Sequence, residues 1–375
     1  MTAVDTPISG IGLVSADSHV NEPRDLWSSN LPPSLRSMAM KGLESGEDGS
    51  WNVVFEGKHV FKRDMASEAE RLSVLDPAKR LDVLRSEGIV AEAIFPTIAM
   101  YVWLLENPDG GRESCHIYND WIYDTLQRKS PRFNCAGVVP VWEPEKAAQE
   151  IERIAEAGLR SIMLPSHTKI AWNHRVWDPM WDAIDASGLP IVLHQGTGFD
   201  TIWYRGPGAT VANLVSTETI GPRVATLLAT SGVLERHPNM HVVFVEFNTG
   251  WLAWVEELMD YYDAVFREYD YIHRESRPKP TVYPDLEHKP SHYVKRQCHA
   301  TFQVDHIGMR NVAKSGEMSL MWGHDYPHEE GTYPNSAKLV DEQAAYVTPE
   351  QARRIFRENA IEIFKFDRAL IDQPF

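Results

Sequence analysis

Short apolar runs alternate along the chain with longer segments whose apolar residues recur at helical spacing, and the alternation predicts eight strand–helix units. Strands are expected at 13–17, 89–95, 134–139, 159–164, 190–194, 241–246, 296–302 and 320–324. Between them, Val74, Leu75, Leu81 and Leu84 mark one face of a helix over 74–88, further helices are expected at 111–129, 144–157, 176–187, 250–273 and 305–315, and 209–236 is a long amphipathic segment. Gly88, Gly158 and Gly188 sit where helices should stop, and Pro140 and Pro165 close two strands. Two terminal helices follow at 335–346 and 348–366, the second opened by a capping box, Thr348-Pro-Glu-Gln351. Eight such units imply an α/β fold, a closed parallel (β/α)8 TIM barrel.

Two stretches break the rhythm. Residues 20–73 are irregular, with Pro32-Pro33, a glycine and acid cluster at 42–49 and a hairpin expected at 51–62. That is too long for a barrel loop and reads as an insertion after the first strand, set near the site or at an oligomer contact. The polar segment 274–292 reads as a loop over one end. The whole of 1–375 is therefore expected to be one barrel domain carrying one insertion.

Composition narrows the partners. Lys+Arg of 37 against Asp+Glu of 53 gives a formal charge of −16, which argues against nucleic acid or an anionic membrane. An anionic substrate would then need a local positive centre. The three cysteines, Cys115, Cys135 and Cys298, are odd in number and widely spaced, as suits a reducing compartment, and the N-terminus lacks the apolar core of a signal peptide. A cytoplasmic location is expected. The apolar run 89–105 is interrupted by Glu92, Pro96 and Thr97 and fails as a membrane span.

Candidate chemistry gathers at the C-terminal ends of the expected strands, where barrels place their catalytic side chains. Asp17 and His19 end the first strand and, two apart, point the same way. His194 ends the fifth, Glu246 the sixth, and Asp325 follows the eighth within Trp322-Gly-His-Asp-Tyr-Pro-His328. Singly, each reads as a hydrogen-bonded structural residue. Together, Asp17, His19, His194 and Asp325 form a mixed nitrogen and oxygen set suited to Zn²⁺, with Mn²⁺, Fe²⁺ or Co²⁺ as competitors. His328, on a loop, can reach the pocket; His324 has the parity of a supporting residue, and His299 is a weaker candidate. Trp27, Trp103, Trp172, Trp203, Tyr204, Phe247 and Trp251 fall near strand ends and suggest a flat, apolar binding wall, while Arg205 or Arg24 is placed to hold a carboxylate. Trp27, Arg205, Trp203, Phe247 and Trp251 are the residues expected to touch substrate.

Asp17-Ser-His19 with Asn21-Glu-Pro-Arg-Asp-Leu-Trp27, then Val192-Leu-His194, then Gly323-His-Asp325-Tyr-Pro-His328, resembles the amidohydrolase-2 group. That branch of the amidohydrolase superfamily holds aminocarboxymuconate semialdehyde decarboxylase and the resorcylate-type decarboxylases. The resemblance implies a distorted (β/α)8 barrel with one divalent metal, usually zinc or manganese, held by Asp17, His19, His194 and Asp325. The family's first position admits His, Glu or Asp. Where family decarboxylases carry a histidine after strand six, this chain reads Val245-Glu246-Phe-Asn-Thr-Gly-Trp251, so Glu246 takes the slot. A carboxylate beside a cation keeps a low pKa and acts as a base unless burial raises it.

The expected activity is non-oxidative decarboxylation of an aromatic or conjugated carboxylate, with Asp325, Glu246 and His328 as catalytic residues. The alternative is attack by metal-activated water on an amide, ester, lactone or C–C bond, or hydration of a small carboxylated substrate. A barrel that holds its metal in a closed, non-catalytic shell is the remaining reading. Assembly into a homodimer or larger homo-oligomer is expected.

Overall fold

The computed structural model describes residues 10–45, 51–55, 58–63, 74–198, 204–269 and 284–375. Its main sheet runs in the order β1 (Leu13–Ser15), β6 (Ile89–Pro96), β7 (Phe133–Val138), β8 (Ser161–Pro165), β9 (Ile191–His194), β10 (Val242–Val245), β11 (Cys298–Phe302) and β12 (Leu320–Trp322). Every neighbouring pair is parallel, and the short β2 (His19–Val20) joins through β6. All eight expected barrel strands are present.

The seam between the last strand and the first closes just beyond the regular ladders. Ala16 N–H donates to the Trp322 carbonyl at 2.9 Å, Asp325 N–H to the Asp17 carbonyl at 3.0 Å, and His19 N–H to the Tyr326 carbonyl at 2.7 Å. This contact needs a glycine. A Cβ on Gly323 would lie 2.3 Å from the Asp17 Cβ. The seam therefore forms at the expense of one side chain, and it brings the two ends of the sequence together.

The strands are buried on both faces, as βα crossovers require, so they read as continuous apolar runs. Helices begin and end where the sequence dictates. Asp76 caps Pro77–Ser86, Gly158 (φ 92°) ends Pro144–Ala157, and Gly188 (φ 61°) ends Asp178–Ser187. The capping box at Thr348 and Gln351 is formed in both directions. Cys115, Cys135 and Cys298 are buried thiols.

The amphipathic stretch 209–236 forms three helices, Ala209–Glu218, Ile220–Thr230 and Val233–Arg236, with Pro222 near the start of the second and Gly232, in the left-handed region at φ 74°, before the third. One expectation is corrected. The expected loop to residue 292 ends early, because Pro290 opens a helix, Pro290–Gln297, that delays β11 to Cys298. Within the insertion, β3 (Lys41–Ser45), β4 (Trp51–Phe55) and β5 (Lys58–Arg63) form a separate antiparallel sheet that contains the expected hairpin.

The loop leaving β2 is tied back to the barrel by Glu22. Its buried carboxyl accepts the backbone N–H groups of Ile98 at 2.9 Å, Ala99 at 2.8 Å and Thr97 at 3.4 Å, and burial pushes its pKa up to about 7. Glu22→Ala leaves those donors buried without an acceptor and is expected to cost about 3 kcal/mol or more, read by chemical denaturation. A folded pKa above the unfolded value of 4.5 means the folded state holds the proton longer, so this group's contribution to stability falls as pH rises from 4.5 to about 7. Glu22→Gln, which keeps an acceptor and cannot ionise, is expected to flatten that slope.

Candidate metal centre

Asp17, His19, His194, Glu246, Asp325 and His328 converge at the C-terminal mouth of the barrel. Asp17 lies in the break between β1 and β2 and His19 is the first residue of β2, two positions on, so that both side chains turn to the inner face. His194 is the last residue of β9, and Glu246 directly follows β10. Glu246 and Asp325 adopt left-handed backbone (φ 63° and 53°), a conformation uncommon for non-glycine residues and found where a tight turn aims a side chain.

The histidine tautomers follow from their neighbours. His19 Nδ1 lies 2.9 Å from the Pro96 carbonyl and His194 Nδ1 lies 2.8 Å from the Gln195 carbonyl; a carbonyl only accepts, so both Nδ1 atoms carry the proton. Both Nε2 atoms then present lone pairs, yet they face each other at 3.0 Å. Two acceptors at that distance repel unless a positive charge lies between or beside them. Burial also holds both imidazoles below the usual histidine pKa, His19 well below it.

Carboxylates surround this pair. Asp17 Oδ1 and Asp325 Oδ1 stand 3.6 and 3.7 Å from His19 Nε2, and Glu246 Oε1 stands 3.8 Å from His194 Nε2. Asp17 Oδ1 and Glu246 Oε1 are buried and accept no hydrogen bond among the described residues. Burial first, then Asp325 and Glu246, raise the Asp17 pKa well above the ordinary carboxylate range, and burial pushes Glu246 up to about 7.

This donor set fits a divalent ion. One ligand atom from each of Asp17, His19, His194 and Glu246 lies within 4.8 Å of every other, and the same holds for His19, Glu246, Asp325 and His328. The two groups share His19 and Glu246, so the six residues form one cluster. Neutral imidazoles, crowded carboxylates and acceptor atoms turned toward one another are the chemistry a cation stabilises.

His328 completes the rim. Its ring stacks on His19 at a centroid distance of 4.1 Å, and its Nδ1 lies 2.9 Å from Asp325 Oδ1. Beneath the cluster, the His324 ring packs at Ser15, with Nδ1 2.8 Å from the hydroxyl, as its supporting parity implied. His299 does not approach: it lies near the start of β11, between the Met318 carbonyl and His241.

Other residues were not singled out from sequence. Gln303, the first residue past β11, donates from Nε2 to Asp17 Oδ2 at 3.2 Å and so leaves Oδ1 turned to the cluster. Its position matches that of Glu246 past β10, which is the signal that would have found it.

The expected aromatic wall is largely core. Trp27 has no accessible surface and donates its indole N–H to the Ser114 carbonyl at 3.1 Å, and Phe247 is packed against Phe244 and Gly221. Both are buried among core residues in this structure. Trp251 is half-buried, bonded to the Asn248 carbonyl and edge-on to Phe244. Arg205 is exposed, Arg24 is half-buried, and Trp203 lies outside the described residues.

Comparison with known proteins agrees with the architecture. The sequence model of the amidohydrolase family matches residues 59–366. An amidohydrolase from Mycobacterium avium subsp. paratuberculosis superposes with a TM-score of 0.75 at 14% identity, covering 95% of this chain and 99% of that one. A 5-carboxyvanillate decarboxylase from Sphingomonas paucimobilis gives 0.67 at 21% identity, over 96% and 100%. A dihydroxybenzoic acid decarboxylase from Polaromonas, solved with bound manganese and the inhibitor 2-nitroresorcinol, gives 0.64 at 16% identity, over 97% and 99%. No helix among the described residues is long and apolar enough to cross a membrane.

A ligand that binds only the folded state stabilises it by mass action. Adding Mn²⁺ or Zn²⁺ to metal-stripped protein is expected to raise Tm, corresponding to about 4 kcal/mol at a thousand times Kd. His194→Ala is expected to abolish that rise in a thermal-shift titration while the barrel stays folded.

Proposed function

The chain belongs to the amidohydrolase family, as a metal-dependent enzyme of the carboxy-lyase or hydrolase kind, and from that premise and the site's geometry we propose that it decarboxylates an aromatic or conjugated carboxylate without an oxidant. The observation that carries the division of roles is a step in exposure across the cluster. The side chains of Asp17, His19, His194 and Asp325 are at most 1% exposed, whereas His328 and Glu246 are 11% and 15% exposed. The buried four are the proposed ligands of one divalent ion, Zn²⁺ or Mn²⁺; the other two face whatever enters the mouth.

When bound, that ion supplies a positive centre that draws in the substrate's carboxylate and an adjacent oxygen in an otherwise acidic protein. The chain's own residues do the rest. His19 and His194, locked by the Pro96 and Gln195 carbonyls, keep their Nε2 atoms fixed, and Gln303 holds Asp17 in one rotamer. Glu246 is positioned to deliver a proton to the ring carbon that bears the carboxylate; the C–C bond then breaks, its electron pair stays with the ring, and CO₂ leaves. His328, with Nδ1 2.9 Å from Asp325 Oδ1 and its ring stacked on His19, closes the other side and orients the substrate. The dihydroxybenzoate and carboxyvanillate decarboxylases among the similar structures support the substrate class.

Metal-loaded protein is expected to release CO₂ from one or more members of a panel of phenolic and conjugated carboxylates. Turnover of esters, lactones or amides with no CO₂ from any carboxylate would establish the hydrolase instead. Glu246→Gln is expected to lower kcat by about 10²-fold or more while metal content stays at the wild-type level. Loss of the metal in that variant would make Glu246 a ligand rather than the proton donor.

A further inference from the structure

One fully buried ion pair lies directly behind the metal centre, and no step of the proposed reaction uses it. Arg80, on the inner face of the Pro77–Ser86 helix, donates from Nε to Glu92 Oε1 at 2.5 Å and from Nη2 to Glu92 Oε2 at 3.0 Å. Glu92 lies on β6, and both side chains are 0% exposed. Removing two charges from water is expensive, and pairs of this kind are often no more stabilising than apolar residues of similar size. Stability alone is therefore a poor reason for this pair.

The rest of the guanidinium shows what the pair holds. Nη1 donates to the His19 carbonyl at 2.8 Å, and Nη2 donates also to the Ser18 hydroxyl at 2.8 Å. Ser18 in turn donates to the Ala93 carbonyl at 2.6 Å and, through its own carbonyl, accepts from Phe95 N–H at 2.8 Å. His19 is consequently held at every polar atom but Nε2, with its N–H bonded to the Tyr326 carbonyl and its Nδ1 to the Pro96 carbonyl. Glu92 Oε2 also lies 3.8 Å from His324 Nε2, whose Nδ1 meets Ser15 on the other side of the seam. The stretch so held joins the break after β1 to β2: Ser18 lies outside the regular strands and His19 opens a strand of two residues, so the guanidinium adds to the few backbone bonds that set the direction of Asp17 and His19.

We propose that Arg80, charge-balanced by Glu92, is a positioning residue of the metal centre: it fixes the Ser18–His19 backbone and thereby the aim of the first-strand ligand pair. This rests on the assignment of His19 as a ligand. Charge balance matters to the role, because an uncompensated guanidinium this close would oppose binding of a cation. Lysine cannot replace it, since one ammonium lacks the planar fork needed to meet Glu92, Ser18 and the His19 carbonyl together.

The test compares metal affinity with stability in variants that do not strand a buried charge. The double variant Arg80→Met with Glu92→Met replaces the pair by apolar side chains. It is expected to fold, and to bind Mn²⁺ and Zn²⁺ roughly 10- to 100-fold more weakly than wild type by calorimetric titration of the metal-stripped protein, the range found when residues that orient metal ligands are lost. Arg80→Lys with Glu92 retained is expected to stay folded and to weaken both metals at least tenfold. Wild-type affinity in a folded double variant overturns the proposal, and failure of both variants to fold overturns it in favour of a purely structural pair. Wild-type protein that binds neither metal removes the ligand assignment itself, a result distinct from an affinity that the variants leave unchanged.

Discussion

Two imidazole nitrogens, each deprived of its proton by a carbonyl on the far side of its ring, point at each other across 3.0 Å. Everything else at the mouth of the barrel follows from that confrontation. Left alone it is repulsive, and the desolvated carboxyls of Asp17, Asp325 and Glu246 crowd the same space. Either these groups take up protons or they share a cation. Burial favours the neutral state of Asp17, Glu246 and both imidazoles, so an ion that stabilises them together gains more than it would on a hydrated surface.

The barrel is what makes the confrontation permanent. Asp17 and Asp325 are 308 residues apart in sequence and are joined by a backbone hydrogen bond between them, possible because Gly323 has no side chain to strike Asp17. Closing the sheet therefore builds the site in the same event. His194 and Glu246 arrive from adjacent strands in register, with Val245 paired to His194. A loop-borne site would hold such repulsive groups loosely, whereas strand ends anchored by ladders on both sides keep them in place.

Much of this was legible in the chain. Parallel strands buried on both faces write themselves as uninterrupted apolar runs, and the parity of Asp17 and His19 needs only the pleat to be read. The positions of His194, Glu246 and Asp325 followed from counting to the end of each run. What sequence did not show are the residues whose role depends on what lies across the barrel. Arg80 lies one turn before Leu84 on the buried face of its helix, but nothing in the sequence pairs it with Glu92 on the strand that follows. Gln303 has no titratable chemistry to attract notice. Nor did sequence show that the large rings of Trp27 and Phe247 are buried in the packing of the barrel. The amphipathic spacing of 209–236 continues through Pro222 and Gly232 and so did not mark where its three helices begin and end.

The most direct test is a crystal of the protein grown with Mn²⁺ and recorded at the manganese absorption edge. The account predicts one anomalous peak per chain within ligand distance of His19 Nε2 and His194 Nε2, with Asp17 and Asp325 completing its contacts. A map with no peak there, with the two rings still facing each other across an ion-free gap, would contradict it.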